Sequence, residues 1–115
     1  MIQIKNELVL QELLAYEVHP ILMDLVVWFF DLASNIFITS GHRPGDSGVH
    51  GQLPFRGIDF RIRIYEPGQA ETFVILINSH WEYDPYRPNL KCAVLHGEGP
   101  NKHIHLQVHP NTRRI

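Results

Sequence analysis

The chain has 115 residues, 44% of them hydrophobic and 19% charged, and a formal net charge of −2. This excludes a disordered segment and fits one domain over residues 1–115 with a single core. It also lacks the basic excess that marks a nucleic-acid or anionic-membrane partner, and the lone cysteine, Cys92, forms no internal disulfide.

Asn6 caps a predicted first helix that runs to about Glu17, with Leu10, Leu13, Leu14 and Val18 on one face. His19-Pro20 ends it and opens a second helix to about Ser34, apolar nearly all round and therefore expected at the centre of the core. The apolar run Ile21 to Ala33 contains Asp24 and Asp31 and is too short to span a bilayer. No charged segment followed by an apolar one opens the chain, so no secretory signal is expected and synthesis is assigned to the cytoplasm.

Ile36 to Thr39 reads as a β-strand, rich in branched side chains. The glycine- and proline-rich stretch Ser40 to Pro54 is a long loop, and loops of that kind tend to be functional. From Phe55 the pattern alternates again, with Ile58, Phe60, Ile62 and Ile64 on one side and Gly57, Asp59, Arg61 and Arg63 on the other. Pro67-Gly68 leads into a third helix, with Ala70, Phe73, Val74, Ile77 and Trp81 on one face. A polar turn, Glu82 to Pro88, precedes a strand from Leu90 to His96.

The last strand, Lys102-His103-Ile104-His105-Leu106-Gln107-Val108-His109, alternates imidazoles with aliphatic residues. A hairpin closed symmetrically around Gly97–Lys102 sets His96 opposite His103 and Val94 opposite His105. Ala93 and Leu95 then face the core with Ile104 and Leu106. Cys92, Val94 and His96 face outward with the imidazoles. The fold expected from this order is α+β: a small antiparallel sheet covered on one face by helices.

The open face collects candidates for chemistry. His50 in the loop, Asp59 on the next strand and His105 offer two imidazoles and a carboxylate, a set that suits Zn²⁺ and leaves a fourth position for water. His103, two residues before His105, shares its space and is free to bond a substrate or a developing oxyanion. Arg43 is a candidate anchor for a carboxylate. His42, His19, His80 and His109 are read as packing, capping or surface residues, and Cys92 as a small semi-buried side chain.

The segments Ile38-Thr39-Ser40-Gly41-His42-Arg43-Pro44, His50, Arg56-Gly57-Ile58-Asp59 and His103-Ile104-His105 together resemble a known family. It is the zinc D-alanyl-D-alanine carboxypeptidase family M15, with its phage endolysin-like peptidases of the hedgehog/DD-peptidase fold. The likeness spans about Phe37 to Val108. It implies a zinc metallopeptidase that hydrolyses a peptide bond in peptidoglycan stem peptides and degrades cell wall, of carboxypeptidase or endolysin type. It further implies His50, Asp59 and His105 as the metal ligands, and Arg43 and His103 as catalytic groups. A monomer acting on the cell wall, phage-encoded and without nucleic-acid or membrane partners, is the matching expectation.

Three departures stand out. Gly57 occupies the place of an alanine in the family signature, and the spacing from His50 to Asp59 is longer than in it. Lys102 occupies the position, three before His105, where many members carry an acidic general base. The base is then expected from Glu98, His96 or His103. Two other readings follow from the same strand: a catalytically impaired metal-binding domain that holds cell-wall peptide, and a DNA-nicking enzyme of the His-hydrophobe-His type, which needs a nucleophilic tyrosine.

Overall fold

The computed structural model describes all residues, 1–115. Its elements are β1 (Ile2–Ile4), α1 (Glu7–Leu14), α2 (Pro20–Ala33), β2 (Ile36–Ser40), β3 (Gly57–Arg61), α3 (Gln69–His80), β4 (Trp81–Glu82), β5 (Ala93–His96), β6 (His103–Gln107) and β7 (Arg113–Arg114). Five strands form one sheet in the order β1-β2-β3-β6-β5, and β4 and β7 form a separate ribbon.

Local chemistry sets the helix ends. The Asn6 side chain accepts a hydrogen bond from Val9 N at 3.0 Å, which satisfies one free donor of the first turn of α1. His19 Nδ1 does the same for Ile21 N at 3.2 Å at the start of α2, and Pro20 follows at a position that needs no N–H. Ser34, in the left-handed region at φ 67°, stops α2 and turns the chain into β2. No helix is long and apolar enough to cross a membrane.

The sheet differs from the expected one in its first strand. β1 runs parallel to β2, with Ile2 beside Ile36 and Ile4 beside Ile38, so the sheet is mixed and not purely antiparallel. All three residues of β1 are exposed, and its alternation, Ile2-Gln3-Ile4, is too short to mark a strand; backbone pairing recruits them to the edge. The other pairings are antiparallel. Those of β3 with β6 and of β5 with β6 place Asp59 beside His105, Val94 beside His105 and His96 beside His103, the hairpin register expected from the sequence.

The core lies on one side of this sheet. Ile36, Ile38, Ile58, Phe60, Ile104, Leu106 and Ala93 pack against Leu22, Leu25 and Phe29 of α2 and Ala70, Phe73 and Ile77 of α3. Phe29 meets both Phe60 and Phe73 edge-on, with centroids at 5.3 and 5.7 Å. Burial of this aliphatic face holds the register, since a one-residue slip would turn it to solvent. Asn78 of α3 accepts from Ala93 N at 3.0 Å and donates to Ala93 O at 2.9 Å, pinning the edge strand β5.

Three expectations need correction here. Helices do not all cover one face: α1 lies beside β2, and its Leu8, Val9 and Glu12 border a cavity together with Asp59 and His103 of the opposite, polar face. Cys92 is fully buried instead of facing outward, because regular pairing begins only at Ala93 and the alternation does not extend back to it. Burial pushes its thiol up to about 12, against a lowering bond with Thr112, so it is no nucleophile. Trp81 belongs to β4, not to the third helix.

Candidate metal centre

The polar face of the sheet is organised by Asp59. β3 is central, so its backbone is paired on both sides, and Asp59 projects from it at only 7% exposure. Three imidazoles surround one oxygen of its carboxylate. His105 Nδ1 lies 2.7 Å from Oδ1, His50 Nε2 3.3 Å and His103 Nε2 3.8 Å. Burial alone would raise the Asp59 carboxyl, but with both rings protonated the hydrogen bonds of His105 and His50, with their charge, hold it well below the usual carboxylate range.

Each ring is oriented from behind. His50 sits in a single turn of 3₁₀-helix, Val49–Gly51, inside the long loop, and its Nδ1 donates to Gly41 O at 2.6 Å. That bond places the hydrogen on Nδ1 and turns the Nε2 lone pair toward Asp59. Gln107 plays the same part for His105. Its amide nitrogen donates to Lys91 O at 2.9 Å, which leaves Oε1 to accept from His105 Nε2 at 3.1 Å. The lone pair of His105 therefore sits on Nδ1, again toward Asp59.

This set of partners is a test of whether the residues fit a cation. Each of the two rings already donates from its far nitrogen to an acceptor-only oxygen. For both near nitrogens also to hydrogen-bond Asp59, both rings would have to be imidazolium, in a buried cluster with one carboxylate. A divalent cation replaces those two protons with a single charge. The donor atoms of His50, Asp59 and His105 all lie within 4.8 Å of one another. Two ligands held by one Zn²⁺ at about 2.0–2.1 Å in a tetrahedron lie about 3.3–3.4 Å apart; His50 Nε2 and Asp59 Oδ1 are 3.3 Å apart, while His105 Nδ1, 2.7 Å from Oδ1, has to draw back from it to admit an ion. The donor set fits a metal ion.

The glycine at position 57 follows from the packing of the two rings. A Cβ there would lie 2.5 Å from Val49 Cγ2 and 3.2 Å from His105 Cε1. Val49, in the 3₁₀ turn that carries His50, lies over β3, and a methyl group has no room beneath it.

Of the catalytic candidates, Arg43, His96 and His103 line a cavity of about 340 Å³ together with His50, Asp59 and His105. His103 Nδ1 donates to Asn101 O at 2.9 Å, so its Nε2 is the nitrogen left facing the centre. His96 meets the His103 ring edge-on at 5.4 Å. Arg43, half exposed, pairs with Asp46 at 3.3 Å. Glu98 is not brought to the cavity: it is exposed on the hairpin connection, which folds into a short 3₁₀ turn, Gly99–Asn101, that carries it to the outside.

The remaining histidines lie apart from the centre. His42 is buried against Tyr16 and Phe55, and His109 packs against Tyr83. The largest cavity, about 540 Å³ between α2 and the β4–β7 ribbon, contains Trp28, Trp81 and Arg114 but no imidazole. Volume points to that groove; the convergence of donor atoms points to the smaller cavity, and chemistry follows the donors.

Sequence reasoning missed two groups at the site. Gln107 carries no ligand chemistry of its own in the sequence, although its place two residues beyond His105 on one strand face brings the side chains together. Gly41 acts through its carbonyl, for which a sequence offers no signal. No family model matches the chain, and no curated protein or solved structure matches it.

Proposed function

We propose that the protein is a zinc-dependent peptidase acting on a peptide bond of peptidoglycan stem peptides. The observation that carries this reading is the convergence of His50, Asp59 and His105, with both rings turned lone pair inward, in a cavity that also holds Arg43 and His103. The resemblance of those residues, in order, to the zinc D-alanyl-D-alanine carboxypeptidases supplies the substrate class. A phage-encoded role in lysis belongs to the same reading.

His50, Asp59 and His105 would hold the ion, which when bound supplies Lewis acidity toward a carbonyl and toward water. Arg43 offers a guanidinium to a substrate carboxylate or to charge that develops on the reacting carbonyl. His103 takes the general-base role that an acidic residue at Lys102 would have filled. Its Nδ1 is fixed as a donor to Asn101 O, so Nε2 can accept a proton and later return it to the leaving amine. His96 holds the His103 ring edge-on. The exposed position of Glu98 leaves it no part in this scheme.

The second reading, a metal-binding domain that holds cell-wall peptide without cutting it, is favoured by one observation: apart from Asp59, no carboxylate lines the histidine cavity. The DNA-nicking reading has less support, since none of the four tyrosines lines that cavity.

Metal analysis of the purified chain, followed by peptidoglycan digestion and mass spectrometry, tests the proposal. One equivalent of zinc and new stem-peptide ends, both lost in His50→Ala, are expected. Stoichiometric zinc without any product would favour the binding-only protein, and metal-dependent nicking of single-stranded DNA would favour the nuclease.

A further inference from the structure

A second cavity, of about 380 Å³, adjoins the histidine cavity and shares Arg43, Asp59 and His103 with it. Its wall is cationic. Lys5, Arg43, Arg61 and Lys102 face it, against Glu12 and Asp59. In a chain of net charge −2 this excess is local. The two acids are engaged elsewhere: Glu12 Oε1 accepts from Gly41 N at 2.9 Å, and Asp59 is held by the imidazoles. Of the cations, only Arg43 has a carboxylate partner, Asp46; Lys5, Arg61 and Lys102 form no ion pair. The Arg61 guanidinium is nonetheless fixed, stacked 4.2 Å from the centroid of Phe37.

An independent observation points to a ligand. Ser40 borders the same cavity at 7% exposure, and its Oγ is buried with no hydrogen-bond partner. A buried hydroxyl without a partner is rare in a folded chain, and this one belongs to a residue that lines the same wall as the unpaired cations. Ser40 is placed there by an irregularity in β2, where the pairing with β3 shifts between Ile38 and Ser40.

We propose that this cavity is an anion subsite which binds a carboxylate of the ligand whose other part occupies the histidine cavity. The inference rests on the peptidase reading for the class of that ligand: a peptide with a free carboxylate away from the bond that is cut, such as the α-carboxylate of a γ-linked D-glutamyl residue. Lys102 then has a role of its own. A lysine cannot act as the base beside a metal, but in the same cavity wall as Arg61 it is an anion ligand.

The test is titration of the ¹⁵N-labelled full-length chain, followed by NMR, with two pentapeptides. One carries L-alanyl-γ-D-glutamyl-L-lysyl-D-alanyl-D-alanine, and the other differs only in having the glutamyl α-carboxylate as an amide. The acid peptide is expected to shift the amides of Ser40, Arg61 and Lys102 and to bind about tenfold more tightly than the amide. The preference should disappear in the Arg61→Gln/Lys102→Gln double variant, whose spectrum reports whether the fold is kept. Single Lys102→Gln, at a half-buried hairpin end, reads the same effect at smaller size should the double variant fail to fold.

Equal affinities, no response to either peptide, or a preference that survives the substitutions would overturn the subsite. Inorganic phosphate is the third probe. Competition with the acid peptide for the same amides supports a shared anion site. Phosphate binding there without discrimination between the peptides overturns its assignment to peptide. Cleavage of both peptides at equal rates by the zinc-loaded chain removes the subsite and keeps the peptidase. A preference for the acid peptide with no cleavage keeps the subsite and removes the hydrolysis.

Discussion

Asp59 and Asp84 are both buried, at 7% and 3% exposure, both have histidine beside them, and both carboxyls are held below their usual range. The resemblance ends with their donors. The Asp84 carboxyl is lowered first by the hydrogen bond of Tyr86 N at 3.0 Å, against burial, then by Arg87 Nε at 2.9 Å, by Asn111 and by the charge of His109. The first three donors are permanent, and His109 Nδ1 already accepts a hydrogen bond from Asn111 N. The site is complete, and it ties the 82–88 turn to the C-terminal segment. Asp59 has only imidazoles, whose far nitrogens are already committed to Gly41 O and Gln107. A carboxylate with permanent donors is architecture; one ringed by lone pairs is a place for a cation.

The sharpest way to break this distinction is to remove each carboxylate in turn. Asp59→Ala is expected to weaken zinc binding by more than roughly 100-fold, beyond the 10–100-fold typical of an outer partner. Asp84→Ala should leave zinc affinity unchanged and lower the thermal midpoint. Competition titration with a chromophoric chelator reads the first effect and calorimetry the second. Equal zinc affinities for the two variants would erase the contrast.

Next in size is the partner behind His105. Gln107→Leu removes the acceptor that selects the tautomer, and zinc affinity should fall by roughly 10–100-fold. An unchanged affinity would show that Gln107 does not orient the ring. Gly57→Ala is a packing test of the same centre. The added methyl meets Val49 at 2.5 Å and displaces the turn that carries His50, at a cost of about 1–3 kcal/mol in chemical denaturation.

The smallest effect separates the aspartates by pH. The folded-state carboxyl of Asp84 is lowered, so its contribution to stability is present above the unfolded value near 3.9 and is lost as pH falls below it. Asp84→Asn should therefore flatten the acid limb of a stability–pH curve and leave the neutral region parallel to wild type. A limb of unchanged slope would mean that other carboxylates govern acid unfolding.

The C-terminal hairpin shows how much of this was legible beforehand. Its register followed from symmetric closure around Gly97–Lys102 together with the alternation, because an aliphatic face must be buried and a slip by one residue would expose it. The same alternation placed Asp59 and His105 on one side, and they pair directly across β3 and β6. Where burial did not dictate, the sequence was silent. The exposed strand β1 is only three residues long and buries none of them, Cys92 lies just outside the paired segment, and Glu98 looked near the centre in sequence while its turn carries it outward.

Residue types and their spacing were enough to nominate His50, Asp59 and His105 and to set the aliphatic face of the sheet, because periodicity and ligand chemistry are local properties of a chain. Which nitrogen each imidazole turns toward Asp59, that His103 and not Glu98 borders the cavity, and that Lys5, Arg61 and Lys102 meet beside an unpartnered Ser40 were decided only by the fold. Those facts depend on a backbone carbonyl, an amide two residues along a strand, and a helix from the other end of the chain, and such groups become neighbours only when the sheet closes.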